Sequence, residues 1–274
     1  MKARGRDKRT LYGDAGYYDH AYRRYRPDVD FYVGVARRTG GPVLELGGGT
    51  GRIALAIAAA GVDVVGVDLS PAMLARAHER LEKEPERIRA RVSLLEGDMR
   101  SLRLGRRFPL VIAPFNALQH LEDDEDVERG LAACRAHLAP GGLFAFDVLM
   151  PDMRAFARDP ARFYRCRPTV HPRDGRRYAY AEAFDYDHAR QVQTVTMRFT
   201  DLADPERVFF RTLTQRQFFP RELAMLLRCA GLSVVSHAGG FSGEPLDELT
   251  DSQVVIASRS PSPSRARSRS RASR

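Results

Sequence analysis

A short stretch near residue 50 carries three glycines at alternate positions, a spacing that suits a ligand bound against the backbone. The stretch runs from Val43 to Arg52 and reads Val-Leu-Glu-Leu-Gly-Gly-Gly-Thr-Gly-Arg. Gly47, Gly49 and Gly51 allow the chain to turn sharply and a ligand to approach closely. The sixth position counted from Gly47 is Arg52, so the dinucleotide fingerprint is incomplete, and no Gly-Lys-Ser/Thr sequence of a P-loop is present. The loop therefore indicates a ligand that is bound without the standard phosphate signatures.

Two carboxylates follow at the ends of the next two predicted strands. Asp68 ends the second strand, nineteen residues after Gly49, and a carboxylate in this place can accept both hydroxyls of a ribose. Asp98 follows the third strand in Glu96-Gly-Asp-Met99. An acid there can accept from an adenine amino group, and the methionine can pack on the ring. Together with the glycine loop, these residues predict a site for an adenosine whose remaining part is not a phosphate chain.

In these features the segment from Val43 to about Leu149 resembles the class I S-adenosylmethionine-dependent methyltransferases. The loop resembles their E/D-x-G-x-G-x-G motif, Asp68 their ribose acid and Gly97-Asp98-Met99 their adenine contact. The resemblance implies that S-adenosylmethionine is the cofactor and that the glycine loop lines its methionine part. The residues implied to bind it are Glu45, Gly47, Gly48, Gly49, Gly51, Arg52, Asp68, Leu69, Met73, Asp98, Met99 and Phe115.

The N-terminal Tyr17-Tyr18-Asp19 and a run of strands late in the chain are similar to the small-molecule branch of this family. That branch includes glycine N-methyltransferase-like and amino-sugar N,N-dimethyltransferase-like enzymes. The resemblance thus implies methyl transfer to a nitrogen or oxygen of a small-molecule acceptor. The alternatives are an RNA or protein methyltransferase recruited by a basic tail, and a non-catalytic protein that binds S-adenosylmethionine.

Three residues are candidates for catalysis. Methyl transfer requires an acceptor held in line and, where the acceptor carries a proton, a base. His120 is the predicted base, since a matching x-x-H-L stretch in amino-sugar N-methyltransferases places a histidine near the acceptor amine. The alternative is that it caps the next helix or contacts backbone. Tyr18, with Tyr22, can close over the sulfonium or serve packing alone. Asp147, at the end of the fifth strand, can orient a substrate amine or simply end the strand. The other histidines show no metal-ligand spacing, so no metal site is predicted.

Strand and helix patterns alternate around these residues. Val127, Leu131, Cys134 and Leu138, for example, form one helical stripe. Strands separated by such helices predict an α/β fold whose Rossmann-like parallel sheet has helices on both faces. The predicted parts of a single domain over residues 12–257 are a helical lid (12–41), the cofactor-binding core (42–150), an inserted antiparallel β-meander (163–219) and a C-terminal helix with a β-hairpin (220–257). Seven of the 24 Phe and Tyr lie in residues 12–32 and eleven in 163–219, which suits a cover over an organic substrate.

The net charge of +9 is concentrated at the two ends of the chain. Residues 1–10 contribute +4 and residues 259–274 contribute +6, which leaves −1 for the 248 residues between them. The basic segment 1–11 and the Arg/Ser-rich tail 258–274 are predicted to be disordered. The tail either aids solubility or tethers the protein electrostatically to RNA. Because the body is near neutral, a nucleic acid is not the expected substrate.

The three cysteines, Cys134, Cys166 and Cys229, are scattered and odd in number. No apolar run has the length of a membrane span, and no apolar segment follows the basic N-terminus. These features predict a cytoplasmic protein with reduced thiols. They make no prediction of the oligomeric state.

Overall fold

Seven strands form the larger of two β-sheets in the computed structural model, which describes residues 10–259. These strands are β1 (Val43–Leu46), β2 (Val64–Asp68), β3 (Val92–Glu96), β4 (Phe108–Ala113), β5 (Leu138–Leu149), β11 (Leu232–Ala238) and β12 (Ser252–Arg259). Their order is β11-β12-β5-β4-β1-β2-β3. The first five run parallel, and β12 is antiparallel to both of its neighbours. The predicted Rossmann-like sheet is thereby confirmed.

Helices cover both faces of this sheet. They are α1 (Ala15–Tyr22), α2 (Pro27–Thr39), α3 (Arg52–Ala59), α4 (Pro71–Leu81), α5 (Glu86–Arg89), α6 (Asp124–His137), α7 (Met153–Phe156) and α8 (Pro220–Cys229). On one face, α6 and α8 bury Leu131 and Leu227 against β4 and β5. On the other, α2 and α3 bury Tyr32 and Ile57 against β1 and β4. Because both faces are covered, the central strands β1 and β4 are buried along nearly their whole length rather than on alternate residues only.

The start of α4 follows the sequence signal closely. Ser70 precedes the helix in an extended conformation, and its hydroxyl accepts the N–H of Met73 at 3.4 Å. Pro71 occupies the first helical position, where its missing N–H costs nothing. This cap fixes the turn between β2 and α4, and therefore the positions of Asp68 and Met73 on either side of it.

The inserted strands form a separate antiparallel sheet. They are β6 (Tyr164–Arg165), β7 (Thr169–Val170), β8 (Arg177–Asp187), β9 (Val192–Asp201) and β10 (Val208–Arg216). The order is β10-β9-β8-β6, and β7 also pairs with β8. One face of this meander buries Tyr178, Met197 and Phe199 against Leu11 and Tyr17 from the N-terminal segment. The predicted antiparallel insertion is confirmed.

The N-terminal lid is shorter than the sequence suggested. A 3₁₀ turn (Thr10–Gly13) and α1 lie between the two sheets, and we call residues 10–22 the lid. Asp14 of the lid lies 3.2 Å from Nε2 of His171 and 3.3 Å from Nη2 of Arg211, both on the meander side. The helix α2, also predicted as lid, instead packs into the helical layer beside α3. The apolar stripe of α2 explains this packing, because the stripe is long enough to cover the face of the sheet.

The predicted disordered ends need a correction at their inner boundaries. Leu11, placed in the disordered segment 1–11, is 3% exposed because it packs against the meander. Ser258 and Arg259, placed in the tail, belong to β12 and pair with Leu143 and Leu232. The rest of both segments, residues 1–9 and 260–274, lies outside the described residues. Between residues 10 and 259, no helix is both long and apolar enough to cross a membrane.

Candidate active site

A cavity of about 400 Å³ lies where β1, β2 and β4 end, and the lid covers it. This is the edge at which ligands of parallel α/β sheets bind. Eight of the predicted cofactor residues line the cavity: Gly47, Gly49, Asp68, Leu69, Met73, Asp98, Met99 and Phe115. His120 and Tyr18 line it as well. The structure therefore brings together residues that lie up to about a hundred positions apart in the chain.

The glycine loop forms the floor of the cavity and tolerates no larger residue at its first turn. Gly47 has φ +72°, and a Cβ built there would lie 2.9 Å from Cβ of Ala117. Gly49 has φ +54°, and its N–H donates to Oδ2 of Asp68 at 2.7 Å. Oδ1 of Asp68 accepts the N–H of Ser70 at 2.8 Å. Asp68 thus ties the loop to the end of β2. Its burial raises its pKa, while these N–H groups act in the opposite direction.

The second carboxylate of the cavity is paired with an arginine that the sequence analysis missed. Nε of Arg100 donates to both oxygens of Asp98 at 2.9 Å, and Nη1 donates to Asp126 at 2.7 Å. These hydrogen bonds lower the pKa of Asp98, so its side chain is ionised where it lines the cavity. Arg100 lines the cavity too. In the sequence, Arg100 is marked only by its position two residues after Asp98.

Four predicted cofactor residues lie behind the cavity wall rather than in it: Glu45, Gly48, Gly51 and Arg52. Arg52 donates through both Nη atoms to Asp28, whose side chain is fully buried. Gly51 precedes α3 in a left-handed conformation, with φ +75°. Glu45 is 2% exposed and lies below Gly48. These residues shape the loop from beneath, and their direct contact with the cofactor stays a prediction.

The contacts of Asp147 fit the structural one of its two predicted roles. It is 4% exposed, and its Oδ1 accepts the hydroxyl of Tyr32 at 2.6 Å and the N–H of Phe115 at 2.7 Å. Its Oδ2 accepts the N–H of Asn116 at 3.2 Å. Phe115 and Asn116 both have positive φ, at 55° and 64°, which non-glycine residues rarely adopt. Asp147 holds this strained turn and so positions Phe115 at the cavity. Burial raises its pKa to about 6.

His120 lies on the cavity wall in contact with a lid residue. It ends a 3₁₀ turn (Ala117–His120), and its Nε2 is 2.7 Å from the hydroxyl of Tyr12. The two rings meet edge to face at 5.1 Å. The alternative role as a helix cap does not fit, because α6 begins at Asp124 with Asp123 as its cap residue. Tyr12 was missed by the sequence analysis, since no local pattern links residues 108 positions apart.

Aromatic rings of the lid gather over Phe115. Tyr22 meets its ring at 4.7 Å and Tyr18 at 6.0 Å, both edge to face. Tyr18 is nearly buried, and this burial raises its pKa well above the ordinary range. Tyr18 therefore presents a neutral ring to the cavity. Across residues 10–259, no group of three or more His, Cys, Asp or Glu side chains is arranged to hold a metal ion.

The lining of the cavity suits an adenosine-type ligand. Carboxylates at Asp68 and Asp98 face it from two successive strand ends. The thioether ends of Met73 and Met99 lie 3.5 and 3.7 Å from the points where a Cβ of Gly49 and Gly47 would stand. Side chains at these glycines would thus fill the cradle between the loop and the methionines. Thioethers and a glycine floor suit a flat ring and a close backbone approach.

Comparison with known proteins identifies the family. A family model described as a methyltransferase domain matches residues 43–142. Over 228 residues the chain is 30% identical to the cypemycin N-terminal methyltransferase of a Streptomyces species, covering 80% of this chain and 84% of that relative. The chain belongs to the class I S-adenosylmethionine-dependent methyltransferases. The predicted enzyme class and the predicted cofactor, S-adenosylmethionine, are confirmed.

Solved structures extend this likeness over nearly the whole methyltransferase. The CcbJ methyltransferase from Streptomyces caelestis superposes with a TM-score of 0.75 at 26% identity, over 93% of this chain and 100% of that one. CalS10, an amino pentose methyltransferase from Micromonospora echinaspora solved with S-adenosylmethionine bound, gives a TM-score of 0.66 at 27% identity. That match covers 89% of this chain and 96% of the other. The meander and the lid are thus part of the shared fold.

The buried carboxyl of Glu45 makes the stability of the methyltransferase depend on pH. Burial raises its pKa from 4.5 to about 8. Because the folded state holds this proton more tightly than the unfolded chain, the unfolding free energy falls as the pH rises from about 4.5 to about 8. Glu45→Gln removes this dependence on pH. The unfolding free energy of the variant, relative to that of wild type, should therefore rise by a few kcal/mol from pH 5 to pH 8.5. Urea unfolding at the two pH values measures this. The control is Glu96→Gln, on an exposed residue at the end of β3; an equal pH effect in both variants would contradict the assignment.

Proposed function

We propose that this methyltransferase transfers the methyl group of S-adenosylmethionine to an amine nitrogen of a small organic acceptor. The observation that carries the proposal is His120, whose imidazole lies on the cavity wall with Nε2 held 2.7 Å from the hydroxyl of Tyr12. A base is needed where the acceptor nitrogen carries a proton at neutral pH. The cypemycin relative is named for a methylated N-terminus and CalS10 for an amino pentose, which favours nitrogen over oxygen.

The cofactor is assigned to the cavity through residues of three strand ends. Asp68 accepts from the ribose hydroxyls, Asp98 and Met99 contact the adenine, and the loop at Gly47 and Gly49 faces the methionine part. When bound, S-adenosylmethionine supplies a methyl group on a positively charged sulfur. The ring faces of Tyr18 and Phe115 attract a cation of this kind. Glu45, Gly48, Gly51 and Arg52 support the loop from beneath.

His120 takes a proton from the ammonium form of the acceptor and becomes an imidazolium, which leaves the acceptor nitrogen with the lone pair that attacks the methyl group. Tyr12 fixes the plane of the imidazole by its hydrogen bond, so the ring faces the cavity in one orientation. The lid excludes water through Tyr12, Gly13 and Tyr18, which line the cavity from above. Asp14 and Asp19 hold the lid down: Asp19 accepts from Arg76 at 2.8 Å and from Thr50 at 2.6 Å. Exclusion of water and a fixed acceptor are the main requirements of such a transfer.

A carboxylate on the meander adds a reason to expect an amine. Glu182 of β8 lies beside Met197 of β9, on the face that packs against the lid. Asp14, Asp19 and Asp28 each lie within 4 Å of an arginine. Glu182 differs, since no Arg, Lys or His of residues 10–259 lies within ion-pair distance of it. The ammonium form of the acceptor, which would pair with Glu182 before His120 takes its proton, would supply the missing cation.

The surroundings of Glu182 link it to the acceptor side of the cavity. Tyr180 donates its hydroxyl to Glu182. The pKa of Tyr22 is raised first by burial and then by the charge of Glu182. Tyr22 in turn meets Phe115, a cavity residue, at 4.7 Å. A carboxylate near these rings resembles the aromatic and acidic surroundings that hold ammonium groups elsewhere.

Glu182→Gln should raise the KM for amine acceptors about tenfold, which corresponds to the loss of about 1.4 kcal/mol of binding. The kcat should change less, because Glu182 pairs with the amine of the acceptor in the ground state as well as in the transition state. The affinity for S-adenosylmethionine should stay as in wild type. The matched control is Asp185→Asn, an exposed carboxylate on the opposite face of the same strand. Equal KM values in both variants would remove Glu182 from acceptor binding.

The proposed reaction is tested with methyl-labelled S-adenosylmethionine and matched acceptor pairs. Amino sugars, amines and N-terminal amines of short peptides are each paired with the analogue that bears a hydroxyl at the same position. We expect label in amines and not in their hydroxyl partners. Label only in the hydroxyl compounds, or only in RNA or a basic protein added to the panel, would overturn the proposal.

A further inference from the structure

The meander carries a buried amide group whose hydrogen-bonding capacity the fold does not use. Gln193 of β9 is 8% exposed, and its Nε2 meets no hydrogen-bond acceptor within residues 10–259. A buried N–H group that has lost its water and gained no partner destabilises the folded state. Such groups are rare in folded proteins, so Gln193 calls for an explanation.

Three other buried glutamines show how this fold pairs an amide group. Gln119, Gln217 and Gln253 each donate their Nε2 to a backbone carbonyl oxygen, at 2.8, 3.3 and 2.7 Å. All three thereby link one segment of the chain to another or brace a turn. Gln193 differs from them, because its Nε2 serves no contact of this kind.

Gln193 lies beside the backbone that is tied to the turn of His120. Its partner on β10 is Gln215. The next residue of β10, Arg216, accepts the amide of Gln119 at its carbonyl oxygen, 2.8 Å away. Gln119 directly precedes His120 in the same 3₁₀ turn. The strand segment around Gln193 is therefore anchored to the part of the protein that carries the proposed base.

Gln193 shares its face of the meander with Glu182. Side chains two residues apart on a strand point to the same face, and directly opposite partners share a face. Gln193 therefore lies on the same face as Met197 and as Glu182, the partner of Met197. An apolar row separates the two polar residues: Phe184, Val195 and Leu213.

The spacing of these rows defines what can lie across them. Gln193 is four residues from Met197 along β9, which is about 13 Å at 3.3 Å per residue. An amine paired with Glu182 thus has an apolar surface beside it and an amide donor beyond that surface. At the Gln193 end, Tyr186 of β8 stacks on Phe156 of α7 at 3.8 Å and closes the row.

We propose that Gln193 selects the acceptor by donating its Nε2–H to an acceptor oxygen, a hydroxyl or carbonyl that an apolar segment separates from the amine. Glu182 pairs with the ammonium end, and the apolar row packs against the middle of the molecule. A site built to bond an oxygen rejects the analogue that lacks it, because the amide then stays buried and unpaired. This inference rests on the proposed transfer to an amine.

The test compares tyramine with 2-phenylethylamine, which lacks only the hydroxyl across the ring from the amine. Calorimetry measures the affinity of both for the full chain in the presence of S-adenosylhomocysteine. Wild type should bind tyramine about tenfold more tightly, the effect of one hydrogen bond. Gln193→Leu should bind the two amines equally. The urea midpoint of this variant without ligand should be no lower than that of wild type, because only an unpaired amide is removed.

Thr194→Val is the matched control, since Thr194 is the next residue of β9 and lies on the opposite face. It should keep the preference of wild type for tyramine. The inference is overturned if wild type shows no preference or binds neither amine, or if Gln193→Leu keeps the preference. A lower urea midpoint with the preference unchanged would give Gln193 a structural role alone, which also overturns it.

These binding measurements need no turnover, so the two proposals can fail separately. Methyl label in amines without a preference for tyramine would overturn only the role of Gln193. A preference for tyramine without label in any amine would overturn only the proposed function.

Discussion

His120→Ala is expected to lower kcat about 10²- to 10⁴-fold, the range that one general acid–base group contributes. His120 has a ring nitrogen on the cavity wall and a hydrogen bond to Tyr12 that fixes its plane. Without the imidazole, the acceptor nitrogen must lose its proton to water, which the lid excludes. The affinity for S-adenosylmethionine should stay within about twofold, because His120 supports none of the backbone at the glycine loop. Steady-state kinetics on an acceptor from the matched panel, together with calorimetric titration of the cofactor, measures both quantities.

Two further variants separate catalysis from folding in this experiment. Tyr12→Phe keeps the ring contact but removes the hydroxyl, so it should lower kcat by less than His120→Ala does. His78→Ala removes an exposed histidine of α4 and should leave kcat unchanged. If His120→Ala turned over like wild type, or lost activity only in proportion to cofactor binding, His120 would not be the base.

Asp68→Ala is expected to weaken S-adenosylmethionine binding about ten- to a hundredfold. A charge-assisted hydrogen bond to a ligand hydroxyl contributes roughly 1.5–3 kcal/mol, and each 1.4 kcal/mol is a factor of ten in affinity. Asp68 also accepts the N–H groups of Gly49 and Ser70, at 2.7 and 2.8 Å. Its removal therefore loosens the floor of the cavity as well. Calorimetric titration with S-adenosylhomocysteine measures the loss without turnover.

The contribution of Asp68 to the loop can be measured separately. Asp68→Asn keeps one oxygen for the backbone N–H groups but lacks the charge, so its affinity should lie between those of wild type and Asp68→Ala. Asp63→Ala is the matched control, because Asp63 is exposed and pairs with Arg91 at the other end of β2. Wild-type affinity in Asp68→Ala would refute the ribose assignment.

Local patterns were sufficient to predict the elements that carry the site. Glycine spacing, the Ser70-Pro71 helix start and the alternation of strands and helices each depend on neighbours within a few residues. Gly47, Asp68 and Asp98, which line the cavity, could be named in advance for that reason. Each stands at a strand end, and the ends of parallel strands meet at one edge of the sheet.

The residues whose contacts could not be predicted from the sequence share a different cause. The two roles predicted for Asp147 could not be separated from the sequence, because its partners, the N–H groups of Phe115 and Asn116, come within reach only once β4 and β5 pair. Tyr12 reaches His120 only because the lid folds back over the sheet. Leu11 was assigned to a disordered end because its burial depends on the meander, which begins more than 150 residues later. Contacts between distant segments decided these cases, and local sequence carries little signal of them.

Methyl transfer takes place, in our proposal, in the cavity between the glycine loop and the lid. A crystal structure of the full chain with S-adenosylhomocysteine would test this directly. We expect the ribose within hydrogen-bond distance of Asp68, the adenine beside Asp98 and Met99, and the sulfur on the side of the cavity that His120 lines. A ligand bound outside this cavity, or one whose ribose does not contact Asp68, would contradict the proposal.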